Sequence, residues 1–164
     1  MEQMTKLIAI DPGLRKCGVA RFDKLHRLID ARTIRIPTFA RDLRGARAWI
    51  EMAKSALKDC GGPQTLVIES MQVDNRTGNK VSDLLEVQGV AGVIVGLATA
   101  AGMNVFGYTP RQWKGSVSKS IMKRRLLDSD LLIEEKNAIH GRATHDAFDA
   151  IGIGLYHLNN LREK

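Results

Sequence analysis

The chain has 164 residues, a length that suits one compact domain with its own core, and no linker or repeat divides it. We therefore expect a single domain over residues 1–164. Hydrophobic residues make up 44% and charged residues 26%, values typical of globular proteins that exclude a low-complexity chain. The formal net charge of +7 favours a polyanionic partner such as nucleic acid, although solubility alone also accounts for such a charge.

The apolar pattern predicts strands first and then strands that alternate with helices. In chain order we expect strands at 6–11, 17–22 and 27–36, a helix at 39–59, a strand at 65–69, a helix at 81–101, a strand at 104–108, a basic and mostly helical or irregular segment at 111–137, and a helix at 144–160. The first three strands favour an antiparallel meander. This order predicts an α/β fold with a mixed sheet.

Cysteine usage and the apolar segments argue against a secreted or membrane-spanning protein. Cys17 and Cys60 have neither metal-ligand spacing nor the pattern of a disulfide framework, so we expect a reducing, cytoplasmic environment. The first residues lack the apolar stretch of a signal peptide. The most apolar segment, 89–103, is too short and too rich in glycine to span a bilayer, and we expect no membrane association.

Two acidic residues follow apolar runs that are predicted to be buried strands. Asp11 follows "LIAI" and Glu69 follows "LVI", and a turn-forming or small residue comes after each. Open α/β sheets bind ligands at the carboxyl ends of their strands. A single acid in such a place is often a turn or helix-cap acceptor, but two of them favour a functional site.

A second pair of acids begins the last predicted helix. Thr144 is a plausible N-cap, and Asp146 in the first turn would then complement the helix dipole. However, helical spacing places Asp146 and Asp149 on one stripe of a helix that is apolar on both sides. We therefore expect both side chains to face protein or a cleft.

Four converging carboxylates would repel one another unless a cation lay among them. Mg²⁺ or Mn²⁺ prefers carboxylate oxygens, and a basic protein with such a site predicts a phosphodiester substrate. Two ions per site would activate water on one side and stabilise the leaving oxygen on the other. The sequence contains no Gly-x-Ser-x-Gly motif, Cys–His pairing or Walker loop, which argues against the other common hydrolytic sites.

Four segments within residues 6–158 belong together: "IAIDPGLRKCGVA", "LVIES", "YTPRQWKGSV" and "HDAFDAIGIGLYHL". In this order and at these separations they resemble the RuvC-type Holliday-junction resolvases of the RNase H-like nuclease superfamily. The resemblance implies an RNase H-like fold, with a five-stranded mixed sheet flanked by helices. It also implies a homodimeric, metal-dependent endonuclease that cuts two opposing strands of a four-way DNA junction. The implied site consists of the metal ligands Asp11, Glu69, Asp146 and Asp149, with Lys114 near the scissile phosphate.

The loop after Glu69 departs from the family pattern. Well-studied members carry an aromatic residue there that wedges into the junction, whereas "SMQVDNRTG" has none. Met71 or Val73 would be the apolar substitute. Some members have histidine in place of Asp146, and we interpret the adjacent His145 as a capping or core residue first.

Basic residues are concentrated between Arg111 and Arg125, where six Lys or Arg residues and Trp113 occur without an acid. This composition favours a phosphate-binding surface over the alternative of a solvated helix face, which usually mixes charges. Loops beside the acids extend the predicted surface. Its members are Arg15, Lys16, Arg76, Lys80, Arg111, Lys114, Lys119, Lys123, Arg124 and Arg125.

The 81–101 helix carries small residues at four-residue spacing, namely Gly92, Gly96 and Ala100. Packing against the chain's own sheet is the commoner explanation. The resemblance instead implies a two-fold interface through this helix, which suits a substrate with paired arms.

Other functions remain open from the sequence. A nuclease of the same fold acting on RNA, flaps or other branched DNA would use the same carboxylates. A non-catalytic junction-binding protein is a further alternative, although the complete set of acids argues against it. The chain is too short for the two domains of an actin-like ATPase or sugar kinase.

Overall fold

The structure is a computed structural model that describes residues 5–35, 43–58, 64–70, 81–116, 121, 124, 126, 139 and 144–162. These residues form five strands and four named helices. In chain order they are β1 (Thr5–Asp11), β2 (Lys16–Asp23), β3 (Leu28–Arg35), α1 (Leu43–Leu57), β4 (Thr65–Glu69), α2 (Val81–Ala100), β5 (Asn104–Tyr108), α3 (Pro110–Trp113) and α4 (His145–Arg162).

The sheet confirms the predicted mixed α/β architecture. Its strand order is β3-β2-β1-β4-β5, with β1–β2 and β2–β3 antiparallel and β1–β4 and β4–β5 parallel. β1 is therefore the central strand. Because β1, β4 and β5 run in the same direction, their carboxyl ends lie at one edge of the sheet, which we call the carboxyl edge.

Both faces of the sheet are covered by helices, as the continuous apolar runs of β1 and β4 require. Alternate residues of the strands contribute to two cores. On one face, Ala9 and Phe22 pack with Ile151 and Ile153 of α4. On the other, residues such as Ile8 pack with α1 and α2. Among the described residues, no helix is long and apolar enough to cross a membrane.

Most predicted elements match the observed ones. The strands 65–69 and 104–108 have the predicted bounds, and the other strands and the last helix differ by one or two residues. The helix predicted at 39–59 is observed at Leu43–Leu57, while 39–42 and 59 lie outside the described residues. The basic segment begins with the short helix α3, and most of the rest of it lies outside the described residues.

The β2–β3 hairpin lies at the opposite edge of the sheet and is fixed by Asp23. Its carboxylate accepts the backbone N–H groups of Leu25 and Arg27 and two hydrogen bonds from the Arg27 guanidinium, at 2.8–3.0 Å. Burial raises the pKa of Asp23, but these hydrogen bonds outweigh it and hold the pKa below its ordinary value. His26 adopts a positive φ of 65° in the turn.

Candidate active site

Asp11 and Glu69 end neighbouring parallel strands. Ile10 of β1 pairs with Ile68 of β4, so the next residue of each strand is an acid at the carboxyl edge. Both acids are buried, with 7% of Asp11 and 6% of Glu69 exposed. The strand ends predicted from the apolar runs thus lie side by side.

The first turn of α4 packs on the sheet beside Asp11. Asp11 pairs with Gly18 of β2, and a Cβ atom at Gly18 would overlap the backbone of Asp146. Only glycine allows this close approach. Burial raises the pKa of the Cys17 thiol, and the carboxylates of Asp11 and Asp146 raise it further. The thiol therefore stays protonated at neutral pH, and the contacts of Gly18 with Asp11 and Asp146 bring two of the predicted ligands together.

Asp146 is held by a cation and by the hydroxyl group of Thr144. Lys16 Nζ lies 2.7 Å from its Oδ2, and the Thr144 hydroxyl donates to the same oxygen. The Thr144 N–H donates to Thr33 Oγ1 at 3.0 Å, and the two threonine hydroxyls lie 2.9 Å apart. Because Thr144 gives its proton to the carboxylate, Thr33 donates to Thr144. Through Thr144, β3 thereby orients the acid in the first turn of α4.

Lys114 joins the other two acids. Its Nζ lies 3.3 Å from Asp149 Oδ2 and 3.9 Å from Glu69 Oε2. Only 12% of the Lys114 side chain and 2% of the Asp149 side chain are exposed. A buried carboxylate requires such compensation because removing a charge from water is costly.

Trp113 contacts Glu69 from the neighbouring helix. Its indole Nε1–H donates to Glu69 Oε2 at 2.9 Å. The helix α3 that carries it begins at a capping box, in which Thr109 and Gln112 bond each other's backbone N–H groups, with Pro110 at the start. This cap fixes α3 directly after β5.

Sequence reasoning missed the contacts made by Trp113, Thr33 and Thr144. It placed Trp113 only among phosphate-binding residues, and it assigned Lys16 to DNA alone, whereas this side chain pairs with Asp146. The available signals were the position of Trp113 beside Lys114 and the glycine at 152, against which the tryptophan ring packs.

The other predicted residues differ in how far the structure describes them. Arg15, Arg111 and Arg124 are exposed. His145 is exposed at the first position of α4, so of the two expected roles, capping or core, the core role is wrong. Seven of the predicted residues lie outside the described residues, namely Met71, Val73, Arg76, Lys80, Lys119, Lys123 and Arg125.

The donor chemistry of the site fits a hard divalent cation, because the four acids offer only carboxylate oxygens. As the side chains stand, however, no group of three or more His, Cys, Asp or Glu within the described residues is gathered closely enough to hold an ion. The ammonium groups of Lys16 and Lys114 lie against three of the acids instead. A metal would therefore require these lysines or the carboxylates to turn.

Solved resolvases share this fold. RuvC of Thermus thermophilus, in complex with Holliday junction substrate, matches with a TM-score of 0.69 and 19% identity over 98% of this chain and 96% of that chain. The yeast mitochondrial Holliday junction resolvase Ydc2 matches with a TM-score of 0.63 and 12% identity, over 98% and 81%. The Fowlpox virus resolvase, in complex with Holliday junction DNA, matches with a TM-score of 0.58 and 11% identity, over 94% and 99%.

No family model and no curated protein matches the sequence significantly. At identities of 11–19%, the structural matches establish the fold. The resemblance to RuvC-type resolvases is thus confirmed at the level of the fold, which is RNase H-like with a five-stranded mixed sheet.

Proposed function

We propose that this protein is a metal-dependent endonuclease that resolves four-way DNA junctions by paired, symmetric cuts. The observation that supports the proposal is that Asp11 and Glu69 end neighbouring strands at the carboxyl edge. Lys16 and Lys114 pair there with the acids of α4, Asp146 and Asp149. The same fold occurs in resolvases crystallised with junction DNA, which supports this substrate class.

The four carboxylates would hold Mg²⁺ or Mn²⁺, two ions per site. When bound, the ions supply an activated water molecule and stabilise the charge that develops on the phosphate. Lys16 and Lys114 compensate the carboxylates in the present structure. With a metal bound at the acids, Lys16 and Lys114 would be available to pair with phosphate oxygens, and this is the role that we assign to Lys114.

Exposed cations at the carboxyl edge supply the proposed DNA-binding surface. Arg15 lies between β1 and β2, and Arg111 follows β5, so both are next to the acids. Phosphate contacts of this kind position a nucleic acid without reading its sequence. We also assign Arg124 and the predicted basic residues outside the described part of the chain to this surface.

We further propose a homodimer through α2. Val90, Ile94 and Ala98 on one side of this helix are buried in the core. Gly92 and Gly96 are exposed on the other side, and a Cβ atom at either would meet nothing within 4 Å. Packing on the chain's own sheet therefore does not explain these two glycines. A two-fold contact there would present two active sites to the two strands of a junction.

The test is cleavage of end-labelled four-way junction, linear duplex, single strand, flap and RNA hairpin, with Mg²⁺ or Mn²⁺. We expect paired cuts in the junction alone. Asp11→Asn removes a ligand charge with little change in volume, so it should bind the junction but lose more activity than the roughly 10- to 100-fold that outer partners of a metal contribute.

The matched control is Asp23→Asn, a buried aspartate on the opposite edge of the same sheet. It should cleave normally at a temperature where it is folded. Cleavage of RNA or a flap would overturn the substrate but not the site. Undiminished cleavage by Asp11→Asn would overturn the site, and binding without cleavage under either metal would overturn the enzymatic proposal.

A further inference from the structure

Trp113 is buried between the sheet and α4. Only 7% of the residue is exposed, and its ring centroid lies 4.6 Å from Lys114 Nζ. A tryptophan in a nucleic-acid-binding segment can stack on a base, but stacking requires an exposed ring. The buried ring of Trp113 therefore acts through its contacts within the protein.

The ring is seated on a glycine of α4. A Cβ atom at Gly152 would lie 2.5 Å from Cζ3 of Trp113, so a larger residue there would displace the ring. Gly152 follows Asp149 by three residues, and such residues share one face of a helix. This face of α4 thus contacts two consecutive residues, because Asp149 contacts Lys114 and Gly152 contacts Trp113.

Trp113 and Lys114 both approach the same oxygen of Glu69. The indole Nε1–H donates to Oε2 at 2.9 Å, and Lys114 Nζ lies 3.9 Å from that atom. The indole N–H is a donor only and does not titrate in the range of enzyme activity. We expect it to keep the direction of the Glu69 carboxylate whether or not Lys114 moves.

We propose that Trp113 is a positioning residue that orients Glu69 for metal binding, with Gly152 as the seat of its ring. This inference rests on the proposed function only in that it takes Glu69 as a metal ligand. Because α4 supplies both the seat and Asp149, the indole fixes the carboxylate of β4 relative to the acids of α4.

The first test observes the hydrogen bond itself. The chain has two tryptophans, so ¹⁵N-labelled protein gives two indole N–H cross-peaks, which Trp49→Phe assigns. Trp49 Nε1 is buried and has no hydrogen-bond partner among the described residues, which makes it an internal reference. We expect Glu69→Gln to shift the Trp113 peak and to leave the Trp49 peak in place. An unchanged Trp113 peak would overturn the proposal.

The second test measures metal binding without catalysis. Calorimetry with Mn²⁺ alone should show an affinity about 10- to 100-fold weaker for Trp113→Phe than for the unmodified chain, the usual effect of losing an outer partner of a ligand. Phenylalanine keeps most of the ring on Gly152 and removes only the N–H donor. Trp49→Phe, the same substitution away from the site, should bind Mn²⁺ normally.

Cleavage assays then separate positioning from chemistry. Trp113→Phe should need about 10- to 100-fold more Mg²⁺ for half-maximal rate, while its rate at saturating Mg²⁺ stays close to normal. Unchanged Mn²⁺ affinity and Mg²⁺ dependence would overturn the positioning role and leave the proposed function standing. If the unmodified chain binds Mn²⁺ but cuts no junction, the proposed function fails, and the affinity of Trp113→Phe still decides this inference.

Discussion

Lys114 compensates the negative charges of Glu69 on β4 and Asp149 on α4. Replacement by methionine keeps the length of the side chain but leaves Glu69 and Asp149 without this cation, and breaking a buried ion pair costs about 3–5 kcal/mol. We expect Lys114→Met to lower the free energy of unfolding accordingly, and millimolar Mg²⁺ to restore part of the loss. Urea unfolding with and without Mg²⁺ measures both effects.

The matched control for this prediction is Lys54→Met. Lys54 pairs with Glu51 on the surface of α1, where 60% and 63% of the two side chains are exposed. Surface substitutions of this kind change stability by no more than about 0.5 kcal/mol. An equal effect of the two substitutions, or no response of Lys114→Met to Mg²⁺, would contradict the role of Lys114 as the counter-ion.

His157 predicts a pH dependence of folding. Burial, with a smaller contribution from His26, lowers the pKa of His157 below its ordinary value of about 6.5. Its Nδ1 lies 2.9 Å from the Tyr108 hydroxyl, and its ring packs on Phe106. As the pH falls, His157 therefore takes up a proton at a higher pH in the unfolded chain than in the folded chain. The contribution of neutral His157 to the free energy of unfolding is complete above pH 6.5. It decreases as the pH falls from there to the pKa that His157 has in the folded chain.

Urea unfolding between pH 7.5 and 5 checks this sign. His157→Gln should flatten the decrease in stability across that range. His145→Gln should keep it, because His145 is exposed at the start of α4. A steeper loss of stability in His157→Gln than in the unmodified chain would show that the titrating group lies elsewhere.

At the scale of elements, the exposed side of α2 that carries Gly92 and Gly96 is the proposed dimer interface, and a charge placed there should separate the two chains. Gly96→Glu places a charge on this side, where the present backbone leaves space for a side chain. We expect the unmodified chain to sediment as a dimer and Gly96→Glu as a folded monomer, since a buried, unpaired charge opposes association. Ser55→Glu, at an exposed position of α1, should remain dimeric. A monomeric unmodified chain would contradict the proposed interface.

The sequence predicts the helices and strands better than it predicts which side chains contact one another across them. Apolar runs identify β1 and β4 because both strands are buried on both faces, and an acid at the end of each is visible without a structure. The bond from Trp113 to Glu69 spans 44 residues and depends on the order of the strands, which periodicity does not encode. The pairing of Lys16 with Asp146 cannot be predicted from the sequence for the same reason, because this pairing requires α4 to begin beside Gly18.

For the whole molecule, the exposed Arg15 and Arg111 share one edge of the sheet with the acids, which predicts how junction binding depends on salt. Binding should weaken steeply as salt rises, because each phosphate contact releases counterions. Arg111→Gln should reduce the slope of log affinity against log salt by about 1 and weaken binding to all junction sequences alike. Electrophoretic mobility shifts at several salt concentrations measure the slope.

Lys24→Gln is the control for this prediction, since Lys24 is exposed in the hairpin at the opposite edge of the sheet. It should leave the slope unchanged. Equal effects of the two substitutions would mean that net charge, rather than the carboxyl edge, determines the affinity.

The central place of β1 has a consequence for how the protein is made. Ribosomes add about 5–20 residues per second, so β1, β2 and β3 can pair as a meander before β4 is synthesised. The two acids of α4 come from the last of the described elements. A nascent chain therefore carries Asp11 and Glu69 well before Asp146 and Asp149. Under the proposed function, the growing chain is inert toward nearby nucleic acid until α4 has been made and has docked on Gly18.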